Sequence, residues 1–133
     1  MRRQTVDLTC QLYIDGAENL DDLADHILKV TSAKRSGRTL STPMFDIDLE
    51  ISLDHNPSHL ESLGGFLFWP YGAYLEPTSD AISERQYIAS VSALIADLRK
   101  RNLRVVASCD FEKEVSQITG WNWSEGSPIH PVH

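Results

Sequence analysis

Disulfide chemistry, membrane spans and phosphate-binding loops have little to draw on in this sequence. Among 133 residues there are 2 Cys, too few for the cross-linked scaffold of a small secreted domain. No apolar run approaches the roughly 20 residues that a membrane-spanning helix needs. The opening Met1-Arg2-Arg3-Gln4-Thr5 has no apolar stretch behind it, so a secretory leader is not expected. The 7 Gly are scattered and form neither a P-loop nor a dinucleotide fingerprint. What remains is 41% hydrophobic and 23% charged, the composition of an ordinary reduced domain, and a cytoplasmic location is expected. We expect one domain over 1–133, with a core over 1–111 and an extension over 112–133 packed against it.

One sign of charge is also missing from the middle of the chain. The protein has 12 Lys+Arg against 19 Asp+Glu, a formal net charge of −7. Residues 41–80 hold seven acids (Asp46, Asp48, Glu50, Asp54, Glu61, Glu76 and Asp80) and no Lys or Arg, while the stretches on either side balance. Such a segment repels phosphate backbones and anionic lipid and attracts basic surfaces. Nucleic acid and membrane are therefore not expected partners.

Periodicity supplies the fold. From Gln4 to Asp15 the apolar positions Val6, Leu8, Cys10, Leu12 and Ile14 alternate with polar ones, the pattern of a half-buried strand. Asn19 is placed to cap a helix over Leu20–Ala33, and Asp21 and Asp22 suit its first turn. Ser36-Gly37-Arg38 reads as a turn. Phe45, Ile47, Leu49, Ile51 and Leu53 then alternate with Asp46, Asp48, Glu50, Ser52 and Asp54, so one side of the second strand is apolar and the other nearly all carboxylate. Phe66 to Leu75 is apolar on both faces, as a central strand would be, with a bulge expected near Pro70-Tyr71-Gly72. Ser83 and Gln86 form a capping box ahead of a helix ending at Arg99-Lys100-Arg101, and Leu103–Phe111 reads as the last strand. Glu112 to His133 is expected to pack as a short helix and an irregular tail.

The order strand-helix-strand-strand-helix-strand predicts an α+β, ferredoxin-like split β-α-β-β-α-β sandwich, a four-stranded antiparallel sheet with two helices on one face. The acid-rich second strand then lies at an edge, its polar side turned away from the helices. Carboxylates there have two readings: a charged rim that resists sheet-to-sheet pairing, or a docking surface for a basic partner. The second reading names Asp46, Asp48, Glu50 and Asp54 for electrostatic steering. Trp69, Tyr71 and Tyr13 are its candidate aromatic anchors.

Other candidates carry less. Asp54-His55-Asn56-Pro57-Ser58-His59 resembles a metal-ligating spacing, but Pro57 argues for a loop. His26 is expected in solvent beside Asp21, Asp22 and Asp25. Cys10 and Cys109 take core-facing parity on strands that should be neighbours, the ordinary place for a free thiol. No catalytic residue, cofactor site or metal site emerges. The rival reading is a small-ligand-binding protein or enzyme with a cleft between the open sheet face and the C-terminal tail, lined by Tyr13, Trp69, Trp121 and Asp110. A homodimer through the open faces or an edge is a third.

The run Phe66-Leu67-Phe68-Trp69-Pro70-Tyr71, followed by Tyr87-Ile88, Leu94-Ile95, Leu98 and Val105-Val106-Ala107-Ser108-Cys109-Asp110-Phe111-Glu112, resembles a group of small bacterial proteins over about residues 45–114. Some members of similar groups are immunity proteins for polymorphic toxins. That resemblance implies a non-enzymatic, cytoplasmic protein that neutralises a cognate toxin with a basic surface, such as a nuclease, by binding it. Interfaces differ between such pairs, so it assigns no residue.

Overall fold

The computed structural model describes residues 7–52 and 69–120. Among these residues nine elements follow one another: β1 (Cys10–Asp15), α1 (Leu20–Val30), β2 (Lys34–Ser36), β3 (Thr39–Ser41), β4 (Phe45–Ile51), β5 (Tyr71–Pro77), α2 (Glu84–Lys100), β6 (Arg104–Cys109) and α3 (Glu112–Thr119). Every strand pairing is antiparallel. The chain is thus α+β, but among the described residues its sheet has six strands rather than four, in the order β2-β3-β4-β5-β1-β6, and the short helix expected after Glu112 is α3.

Local chemistry fixes the helix ends. The Asn19 side chain accepts a hydrogen bond from the Asp22 backbone N–H at 2.7 Å, satisfying a donor that the first turn leaves open. α1 stops at Val30, three residues before the expected end, where the Thr31 hydroxyl donates back to the Ile27 carbonyl at 2.8 Å. Ser83 caps α2 by accepting from the Gln86 N–H at 3.1 Å. Asn102, at φ 72°, turns the chain out of that helix. Pro70 sits just before β5, outside the ladder, so the missing N–H costs no pairing.

One face of the sheet carries the helices. Leu23, Ala24 and Ile27 of α1, Tyr87, Val91, Ile95 and Leu98 of α2, and Val115 of α3 join Leu12, Ile14, Ile47, Ala73, Leu75, Val105 and Ala107 in one buried cluster. Tyr87 stands edge-on to Phe45 and Phe111, with ring centroids 6.1 and 5.9 Å away, a favoured aromatic geometry. No helix among the described residues is long and apolar enough to cross a membrane.

The expected edge position of the acidic strand is corrected by β2 and β3. Gly37, at φ +62° with open space around it, takes the first central position of a two-residue turn, where glycine is favoured. Each arm is three residues long, too short to show alternation in sequence. Leu40 is fully buried and pairs with Ile47, while Arg35 ties the hairpin to the start of α1 through Asp21 at 2.6 Å. β4 therefore lies inside the sheet, and the rim on that side is β2, where Lys34, Arg35 and Ser36 are all exposed.

Candidate functional site

The helix-free face is built from the alternate residues of the same strands. On β4 these are Asp46, Asp48 and Glu50, spaced about 6.6–7 Å apart along the strand. Asp48 and Glu50 are exposed and Asp46 is half-buried. Neighbouring strands decide what each carboxylate meets. Asp46 lies directly opposite Glu76 of β5, a like-charge pair that sequence periodicity could not reveal because it depends on the β4–β5 register. Asp48 lies between Thr39 and Tyr74 and accepts a hydrogen bond from the Thr39 hydroxyl at 2.8 Å.

Glu50 is held across an intervening strand. Its partner in β5 is Gly72, and the absent side chain lets Gln11 of β1 reach over and donate to the Glu50 carboxylate at 2.8 Å. A Cβ on Gly72 would come within 2.9 Å of the Gln11 amide and 3.0 Å of the Glu50 carboxylate. Tyr13, next to Gly72 on the other side, is half-buried. Burial first, and the Glu50 charge second, push its phenol above the usual tyrosine range. Tyr13, Gln11, Glu50 and Gly72 line a notch of about 200 Å³.

The aromatic candidates separate. Trp69 is fully buried and stacks with the Arg104 guanidinium 4.8 Å from the ring centroid. Arg104 is also bound to Asp15. The expectation of Trp69 as an exposed anchor is therefore corrected: its ring is spent on an internal cation–π contact. Tyr71 shares parity with Ala73 and Leu75 and packs against the main core, and it also lines the notch beside Glu50. Of the expected partner-binding set, Asp46, Asp48, Glu50 and Tyr13 share the open face, and Asp54 lies outside the described residues. His55, His59 and Trp121 also lie outside them.

His26 is not simply in solvent. Arg101, the C-cap of α2, donates to its Nδ1 at 2.8 Å, and its Nε2 faces Asp22 at 3.5 Å, so it links α1 to the end of α2. No group of three His, Cys, Asp or Glu able to hold a metal ion occurs among the described residues. Among known protein families, characterised proteins and solved structures, the chain finds no match. What the face can do must then be read from its charge. Asp46, Asp48, Glu50 and Glu76 pair with no Lys or Arg among the described residues, and Lys34 stands at the far rim, two strands from Asp46.

Proposed function

We propose that this chain is a protein-binding module that docks a basic partner on its helix-free face, as an immunity protein neutralises a cognate cationic toxin by occupying it. The observation that supports this most is the cluster of Asp46, Asp48, Glu50 and Glu76 on adjacent strands, with no ion pair to a Lys or Arg among the described residues. Like charges directly opposite on a ladder oppose folding, and a partner's Lys or Arg side chains would relieve that repulsion. Complementary charge of this kind raises association rates more than it raises affinity. Tyr13 supplies flat apolar area at the margin of the cluster, beside a glutamate whose rotamer Gln11 already fixes. We place the protein in the cytoplasm. The β1-α1-β4-β5-α2-β6 part is read as a ferredoxin-like unit extended by β2-β3 and α3, a reading supported by the adjacency of β5 and β1 within the sheet.

The ligand-cleft alternative has less behind it. The notch at Gly72 holds about 200 Å³, below the roughly 300–1,000 Å³ of small-molecule sites. Trp69, one of that cleft's expected walls, is inside the protein.

The test is kinetic. A partner captured from native lysate is titrated against the wild type and the triple variant Asp46→Lys/Asp48→Lys/Glu50→Lys at several salt concentrations. Docking through this face predicts an association rate lower by about tenfold or more and a flattened salt dependence. Unchanged rate and salt slope reject the acidic face as the docking surface.

A further inference from the structure

The two cysteines occupy one rung of the sheet. Cys10 of β1 and Cys109 of β6 are directly opposed in the antiparallel register, both on the helix side, and both are free thiols. Two hydrogen bonds show which kind of rung this is. The Cys109 N–H donates to the Glu112 carboxylate at 3.0 Å. Four positions back in the chain, the Val105 carbonyl, opposite Ile14, accepts from the Arg99 guanidinium at 2.7 Å. Backbone groups of alternate β6 residues therefore point outward from β1, which makes these rungs the non-hydrogen-bonded pairs. Such pairs bring Cα atoms to about 4.5 Å and side chains closest together, inside the 4.4–6.8 Å window of disulfides.

We propose that Cys10 and Cys109 form a reversible cross-strand disulfide when the protein meets a low-molecular-weight disulfide oxidant. Access and order follow from the environment. Cys109 is half-buried on the sheet's outermost strand, whereas Cys10 is fully buried. The hydrogen bond to Cys109, and burial after it, keep the Cys10 thiol protonated far above its ordinary range. The Cys109 thiolate attacks one sulfur of the oxidant and expels the first thiol, leaving a mixed disulfide. Cys10 loses its proton to water and attacks the Cys109 sulfur, expelling the second thiol. Two protein thiols are oxidised to one disulfide, and one reagent disulfide is reduced to two thiols.

The experiment uses the full chain incubated with oxidised glutathione. Expected results are an intact mass lower by two hydrogens, neither cysteine labelled by maleimide after unfolding, and one linked peptide pair containing Cys10 and Cys109. The melting temperature should rise on the order of 10 °C, because the bond closes a long loop of the unfolded chain, and dithiothreitol should reverse every change. Cys109→Ser and Cys10→Ala should each abolish the shift, and the wild-type mass and peptide map decide the matter even if either variant fails to fold. A lasting glutathione adduct on Cys109 with Cys10 still reduced, Cys109-linked dimers, or two thiols unchanged after prolonged oxidation would each overturn the proposal.

Discussion

Replacing Gly72 by alanine should be costly only while Gln11 is present. The backbone of Gly72 is not in the left-handed region, so alanine can adopt its conformation, and the lower entropy of the unfolded chain favours the variant by about 0.4–1 kcal/mol. Against this, the new methyl would sit 2.9 Å from the Gln11 amide and 3.0 Å from the Glu50 carboxylate. It would separate a charge-assisted hydrogen bond worth about 1.5–3 kcal/mol at most, and less here because Glu50 is exposed. The Leu12 carbonyl, 3.1 Å from the same position, must also give by a few tenths of an ångström. We expect Gly72→Ala to destabilise the wild type by about 1 kcal/mol. In a Gln11→Ala background the clip is already gone, and the same change should be neutral or slightly stabilising. Urea unfolding of the four proteins, with midpoints compared at constant slope, gives a coupling energy of about 1 kcal/mol. Equal effects of Gly72→Ala in both backgrounds would refute the bridge over Gly72 and leave the backbone contact as the whole cost.

Further predictions concern the core and its titration. Leu40→Ala should cost about 2–5 kcal/mol, as for other buried leucines, although it lies in a three-residue strand near the rim. A loss under 1 kcal/mol by urea unfolding would mean that β3 is not part of the packed sheet. Tyr87→Phe should be neutral or stabilising by up to about 1 kcal/mol, because the Tyr87 hydroxyl is buried without a hydrogen-bond partner among the described residues. Burial first, and the neighbouring Cys10 and Cys109 after it, raise the Tyr87 phenol above its ordinary range. The unfolded chain then releases this proton first as pH rises, so stability is complete below about pH 10 and falls above it. Urea midpoints at pH 9 and pH 11 should show that fall, and Tyr87→Phe should reduce it; a fall of the same size in the variant would assign it elsewhere.

Long periodic segments were legible in the sequence because burial on one side imposes its own spacing. The alternation in Cys10–Asp15 and Phe45–Ile51 located β1 and β4, and the apolar stripe from Tyr87 to Leu98 located α2. Asn19 and Ser83 marked both helix starts through chemistry confined to three residues. The β2-β3 hairpin was not legible: β3 buries only Leu40 and β2 buries nothing, and only Gly37 signals it. The misplaced edge follows from that omission, since the crossovers of a four-stranded sheet leave its second and fourth strands at the rims. Trp69 illustrates a second limit. An aromatic beside a proline has no periodicity to reveal its side, and its cation–π partner, Arg104, lies 35 positions along the chain. The site itself was half legible. Parity alone put Asp46, Asp48, Glu50 and Tyr13 on one face, whereas Glu76 and Gln11 entered it only through strand register.

The outer side of β6 has one further consequence. Its Val105 carbonyl is taken by Arg99, which also reaches Thr119 of α3 at 3.0 Å, and its Cys109 N–H by Glu112. An intruding strand would have to evict these side chains before it found a ladder to extend. The opposite flank ends in three residues, two of them cationic, which offers too few rungs for a foreign backbone. Visitors that seek to lengthen the sheet are discouraged at both ends, and approach broadside, onto the carboxylates, is the route left open.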